Sequence, residues 1–517
     1  MKRTRLLPFV LALALAAAGP VAAQHHAEQA KNGQAQHQPQ PSKNGAGQHE
    51  PAGKGILRLL PADSVTEHSI DTPQGKLAYT ATAGTLAFYG ESGEQTAAVF
   101  YTAYVAKNGG ANRPLTFVFN GGPGAASAFL NLGLVGPRLL DLGPDARDFA
   151  HAKLRDNPDT WLRFTDLVLI DPIGTGWSRT VKPDAAKGFW NVGSDADAMA
   201  KAIALYVDKN NRIDSPKYLM GESYGGFRAA KTARALQREQ GISADGIVML
   251  SPFLEGWLTF GDDSSALRAA LELPSLAAAA LERKNALTPQ ALAAADKFAM
   301  TDYLTTLAAP TPQGKAAEAF YARVAEVTGL PLDTVKQQRG FVSDAFVKRL
   351  RPDEIVSHYD ANFAVDDPFP EQLSGRGPDP ILDGVVRAYG GAFANYARHE
   401  LGFKTEMTYK LLADDVTQHW DWGKAGRTGV GVESDLRVLL SFDRSFRLLI
   451  AHGYSDLVTP FSDTRYLLDH LPPLGPPGRV SLKLYRGGHM IYLVPQSRVA
   501  FSNDAEAFYR GNSRAEE

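Results

Sequence analysis

Apolar residues follow two rhythms along this chain. Leu115-Thr116-Phe117-Val118-Phe119, Leu167-Val168-Leu169-Ile170, Tyr218-Leu219-Met220 and residues 246–250 are short, nearly continuous apolar runs. Such runs suit strands covered on both faces, as in a parallel sheet. Upstream, residues 77–82, 84–89 and 97–105 alternate apolar with polar, which predicts antiparallel strands. A helix is predicted before Tyr218, with Ser194 as its cap and Asp197 three residues on, the spacing of a capping box. Another is predicted over the Ala-rich stretch 227–236. Strand and helix in alternation predict a doubly wound α/β core with a mostly parallel sheet.

The rhythm changes after Gly256. Residues 257–431 are rich in Ala and Leu and carry helix-start signals such as Thr288-Pro289. They predict a mainly helical cap inserted into the core. The α/β pattern then resumes, with strands at 446–451 and 480–485 and a closing helix at 499–509. The expected division is a first core part at 56–256, the cap at 257–431 and a second core part at 432–517.

The amino-terminal region reads differently. Lys2, Arg3 and Arg5 precede an apolar stretch at 6–18, and Val21-Ala22-Ala23 offers small residues for cleavage. Residues 1–23 are therefore expected to be a signal peptide cut near Ala23, which implies a periplasmic or secreted protein. Residues 24–55 have almost no large apolar side chain and predict a disordered linker. Its His25, His26, His37 and His49 are irregularly spaced, which suits a solvated tail and not a metal site.

Composition narrows the chemistry. The 517 residues include no cysteine, so disulfides, thiolate metal sites and thiol nucleophiles are excluded. At 44% hydrophobic residues the chain has ample apolar surface to bury. A net charge of −2 points to neither nucleic acid nor a membrane surface as partner.

The segment Gly221-Glu222-Ser223-Tyr224-Gly225-Gly226 matches Gly-x-Ser-x-Gly, between a predicted strand and a predicted helix. That is the context of a nucleophile elbow, whose glycines leave room for a strained serine. A serine nucleophile needs a base and an acid to orient it, here in the order Ser, Asp, His. Asp456 lies just past the 446–451 strand, and His489 just past the 480–485 strand. Asp463 falls inside a helical run and is the weaker acid candidate. His452 breaks the order and reads as structural, and His470 reads as solvent-facing. Asn120-Gly121-Gly122-Pro123-Gly124 follows a buried strand, and its backbone amides could stabilise an oxyanion together with the Tyr224 N–H.

Taken together, these segments resemble the serine carboxypeptidases (peptidase family S10), which have the α/β-hydrolase fold. The resemblance runs through Asn120 to Gly124, Asn157-Pro158 with Trp161, Gly174-Thr175-Gly176-Trp177-Ser178, Gly221 to Gly226, Asp456 and Gly488-His489-Met490. It implies that Ser223, Asp456 and His489 are catalytic and that the Gly122 and Tyr224 N–H groups form the oxyanion hole. It also implies that Asn120, Gly121 and Glu222 bind the terminal carboxylate of a peptide. A Glu can face a carboxylate only if one of the two holds a proton. Three positions depart from the family: Leu134 stands where some members carry a second carboxylate-binding Glu, Ala125 stands where a Cys is common, and Ile170-Asp171-Pro172 replaces Asp-Gln-Pro. The implied activity is hydrolysis of C-terminal peptide bonds, with no metal and no organic cofactor. The rivals are an acyltransferase or esterase on the same scaffold and a non-catalytic binding protein.

Overall fold

The structure is a computed structural model and describes residues 54–110, 112–143, 148–262, 264–372 and 377–513. The expected signal peptide and nearly all of the expected linker lie outside the described residues.

A ten-stranded mixed sheet organises the core. Three long strands open it: β1 (Ser64–Thr72), β2 (Gly75–Tyr89) and β3 (Gln95–Ala106), each antiparallel to the next. Then come β4 (Leu115–Phe119), β5 (Asp166–Ile170), β6 (Lys217–Glu222), β7 (Gly246–Leu250), β8 (Arg447–Gly453) and β9 (Val480–Tyr485). Their order across the sheet is β1-β2-β3-β5-β4-β6-β7-β8-β9, with Arg179–Thr180 as a short extra strand on β3. From β5 to β9 every pairing is parallel.

The continuous apolar runs follow from this burial. Phe117, Leu219, Met249 and Ile450 point into one hydrophobic cluster. Val118, Met220, Val248 and Leu449 point into another. Side chains alternate sides along a strand, so a sheet covered on both faces needs apolar residues at every position. The first cluster is closed by α1 (Val192–Lys209) and α2 (Tyr224–Gln240), the second partly by Phe501, Ala505 and Tyr509 of the last helix, Pro495–Ser513.

Two local expectations are corrected. Asn191, and not Ser194, caps α1: its side chain accepts the Ser194 N–H at 2.8 Å. Asn is as good a cap as Ser, and its carbonyl reaches the N3 amide from one turn earlier. The stretches 77–82 and 84–89 form one strand, because Ala83 and Gly84 stay paired with Thr102 and Tyr101.

The inserted region divides by packing. Ala270, Leu273, Val324, Phe346 and Val356 belong to a separate hydrophobic cluster. Val385, Tyr389, Phe393 and Leu401, further along, join the sheet's own core. The region also holds a two-stranded sheet, Glu354–Val356 with Ala364–Asp366. Among the described residues no helix is long and apolar enough to cross a membrane.

Candidate active site

Because β4, β6, β7, β8 and β9 run parallel, their carboxyl ends share one edge of the sheet. Asn120 follows β4, Ser223 follows β6, Ser251 follows β7, Asp456 lies just past β8 and His489 just past β9. Ligands bind at this edge in open α/β sheets.

Ser223 has φ 59° and ψ −127°, a conformation rarely adopted by a residue with a side chain. Strain of this kind costs about 1–3 kcal/mol and persists only where packing enforces it. The enforcement is visible. A Cβ on Gly221 would lie 1.9 Å from the Gly225 carbonyl oxygen, and one on Gly225 would lie 2.4 Å from the Phe119 oxygen. The Ser223 N–H donates to the Leu250 carbonyl at 2.9 Å, tying the turn to β7.

Asp456 is fully buried and its carboxylate accepts four hydrogen bonds. Oδ1 accepts the Val458 and Thr459 N–H groups at 2.8 and 3.0 Å. Oδ2 accepts the Thr459 hydroxyl at 2.8 Å and pairs with His489 Nδ1 at 2.9 Å. Burial opposes protonation of His489, but the Asp456 charge and hydrogen bond outweigh it and hold its pKa above the ordinary imidazole range. The inserted region braces this loop from above. The His489 backbone N–H donates to the Tyr359 carbonyl at 2.6 Å, and the Leu457 backbone N–H to the His358 carbonyl at 3.0 Å. Ser455 Oγ donates to Asp360 at 2.7 Å.

The 120–122 loop passes beside the elbow: a Cβ on Gly121 would lie 2.6 Å from the Tyr224 nitrogen. Gly122 has φ 101°, which favours glycine. Neither the Gly122 nor the Tyr224 N–H donates to an acceptor among the described residues. Arg228 sits behind the turn. It pairs with Asp195 at 2.7 Å, donates to the Asn120 carbonyl, and lies 4.9 Å from the Tyr224 ring centroid.

Glu222 is buried and carries no arginine partner among the described residues. Asn120 Nδ2 donates to its Oε2 at 2.5 Å, and the Tyr492 hydroxyl reaches both of its oxygens at 3.1 Å. Burial pushes its pKa up to about 7, against the opposing pull of His489, Tyr492 and Asn120. Below neutrality the carboxyl therefore holds a proton it can donate. Ser223, His489, Glu222, Asn120, Gly121 and Gly122 all line one cavity of about 140 Å³.

The remaining sequence candidates fall elsewhere. Leu134 is fully buried in the core, and its carbonyl accepts the Asn157 side chain at 2.8 Å. Asp171 lies behind the loop, where it accepts the Ser127 N–H at 2.8 Å, and burial pushes its pKa up to about 7. His452 is buried against Thr464 Oγ1 at 2.9 Å, and burial holds its pKa down at about 4. Asp463 accepts the Thr259 hydroxyl at 2.9 Å. His470 is exposed, with Nδ1 2.7 Å from the Tyr466 carbonyl. Sequence reasoning missed Thr459 and Tyr492. Their only available signal is nearness to Asp456 and His489 along the chain. Among the described residues no group of three or more His, Asp or Glu side chains could hold a metal ion.

Residues 75–251 match the family model described as serine carboxypeptidase. The similarity to that family is confined to this segment. The segment contains the Asn120 loop and the elbow, and it stops short of Asp456 and His489. Within curated relatives, the chain is 29% identical over 167 residues to serine carboxypeptidase-like 41 of Arabidopsis thaliana, covering 30% of this chain and 34% of that one. It is 30% identical over 143 residues to serine carboxypeptidase-like 44 of the same plant, covering 26% and 27%. The chain thus spans about a third of the length of the first of these relatives. Among solved structures, Kex1(delta)p, a prohormone-processing carboxypeptidase from Saccharomyces cerevisiae, superposes with a TM-score of 0.52 at 15% identity, over 84% of this chain and 92% of that one. The fold is that of the α/β-hydrolases, and the matched segment holds the Gly221–Gly226 turn.

Proposed function

We propose that this protein is an exported serine carboxypeptidase acting on peptides with a free C-terminus, with 56–256 and 432–517 as its core and 257–431 as its cap. Ser223, His489 and Asp456 are its catalytic triad. His489 takes the Ser223 proton as Oγ bonds to the last peptide carbonyl carbon. The oxygen then becomes an oxyanion, held by the Gly122 and Tyr224 N–H groups. His489 next gives that proton to the terminal amino group as the C–N bond breaks. Water repeats the sequence on the acyl-enzyme and frees Ser223. Asp456 fixes the imidazole tautomer throughout.

One observation carries the reading beyond a generic hydrolase: the Asn120–Glu222 pair beside the nucleophile. A protonated Glu222 with Asn120 and the Gly121 N–H offers donors to a substrate carboxylate, about one residue from the attacked carbonyl. The test compares an N-blocked dipeptide with its C-terminal amide. The free acid is expected to be cleaved at least ~10-fold faster in kcat/KM, the order of one charge-assisted contact. Equal cleavage of the amide would leave an esterase or acyltransferase as the better reading. Fluorophosphonate labelling that vanishes in Ser223→Ala would exclude a non-catalytic binding protein.

A further inference from the structure

Sheet order gives the cavity two sides. Ser223 follows β6, which lies between β4 and β7. Asn120 and Gly121 come from the end of β4, so the released residue lies on that side. The residue that acylates Ser223 must then lie toward β7. The wall there is built from Phe253, Phe260 and Arg427.

Arg427 is unusual in that wall. Its guanidinium carbon stands 3.4 Å from the Phe260 ring centroid and 5.5 Å from that of Trp422. Phe260 in turn packs on Phe253, with ring centroids 5.0 Å apart. The Arg427 backbone is also fixed, since a Cβ on Gly256 would lie 2.1 Å from its carbonyl oxygen. Yet no hydrogen bond and no ion pair engages this guanidinium among the described residues. The other titratable side chains lining the cavity are Glu222, Tyr359 and His489, which belong to the site or brace it. Partial desolvation lowers the Arg427 pKa, and the one group opposing that shift is a tyrosine, Tyr359, and not a carboxylate. An arginine stays charged at any physiological pH. Arg228 and Arg212, by contrast, pair with carboxylates and carbonyls. Arg427 is instead a solvent-exposed cation stacked on Phe260 at the acyl side of the cavity, with its donors free of protein acceptors among the described residues.

We propose that Arg427 is a specificity-determining residue that selects peptides with Asp or Glu as the penultimate residue. The guanidinium fork matches a carboxylate in two parallel hydrogen bonds, and stacking on Phe260 removes the rotamer cost of holding it ready. This rests on the carboxypeptidase reading above.

The experiment measures kcat/KM at pH 6 for N-blocked dipeptides ending in Leu, with Glu, Gln, Lys or Phe as the penultimate residue. The native protein is expected to prefer Glu over Gln by at least about tenfold. Arg427→Met should bring that ratio to within about twofold, and Arg427→Glu should invert the order between Glu and Lys substrates. A ratio near one in the native protein, or one unmoved by Arg427→Met, overturns the inference while leaving the carboxypeptidase reading intact if the Phe substrate is cleaved. If none of these peptides is cleaved, both fall. If Arg427→Met instead erases the preference for a free terminal carboxylate over its amide, Arg427 serves the released residue and the inference is wrong.

Discussion

Asn120 and Glu222 meet side chain to side chain at 2.5 Å, from the ends of neighbouring parallel strands. Burial keeps Glu222 protonated up to about pH 7. The sign for activity follows directly. A neutral Glu222 can hydrogen-bond a substrate carboxylate, and an ionised one repels it. KM for blocked dipeptides should therefore rise as pH rises through about 7, while kcat gains as His489, whose pKa is also raised, loses its proton. In Glu222→Gln the amide donates at every pH, so that limb should flatten. An unchanged profile would refute the assignment.

Asp456 and Thr459 set the tautomer of His489. Asp456→Asn should lower kcat by roughly 10³–10⁴-fold, as loss of an orienting aspartate does in serine proteases. Thr459→Val keeps the carboxylate but removes the hydroxyl at 2.8 Å from it. A smaller loss, about tenfold, is expected there, as for one hydrogen bond to a charged group. Equal losses from both changes would show that orientation of the imidazole is not the role of Asp456.

Arg228 and Asp195 form a buried ion pair behind the elbow, with side chains 1% and 5% exposed. Arg228→Met leaves Asp195 without its cation, held only by the Tyr224 hydroxyl among the described residues, at an expected cost of about 3–5 kcal/mol. Asp195→Ala with Arg228→Met should recover part of that. Urea unfolding would measure both, and a double variant no more stable than Arg228→Met would disprove the coupling.

Buried carboxyls also predict how stability depends on pH. The Asp171 pKa is about 7 in the folded protein, raised from 3.8 by burial. Between those values the native state binds more protons than the unfolded one, so stability falls as pH rises through that window. Asp463, also raised to about 7, contributes in the same direction. Asp171→Asn should make the fall in urea midpoint between about pH 5 and pH 7 shallower. A slope as steep as the native one would show that Asp171 is ionised in the fold.

Gly221→Ala and Gly241→Ala separate crowding from backbone strain. The new methyl at 221 meets backbone at 1.9 Å, and the strand and helix must part, so loss of soluble protein is expected. At Gly241, φ is 64° with nothing within 4 Å, and the expected cost is about 1 kcal/mol. Thermal melting distinguishes the two, and similar behaviour would argue against the tight elbow.

The sequence made the sheet legible because burial on both faces writes itself as unbroken apolar runs, from Leu115 to Phe119 and again at 167–170. The elbow, Asp456 and His489 were readable for a similar reason: strand-end glycines mark where the chain must turn sharply. Tyr492 was not. It sits in the apolar run Ile491-Tyr492-Leu493, and only folding shows that its hydroxyl turns inward to Glu222. The inserted region was harder still. An amphipathic helix announces that it covers something without saying what. Phe346 and Phe393 look alike in sequence, yet one faces the region's own cluster and the other the core of the sheet. Arg427 gave no signal, because an arginine's lack of a partner is a property of space.

The Tyr359 carbonyl holds the His489 N–H at 2.6 Å, and Tyr359 comes from the inserted region. Tyr359 itself packs against the core of the sheet, whereas Val324 and Phe346 belong to the region's separate cluster. The backbone of His489 is thus seated by a residue anchored in the main core. Local opening around Val324 and Phe346 would leave that seat in place, so partial unfolding of the inserted region and loss of the His489 loop are separate events.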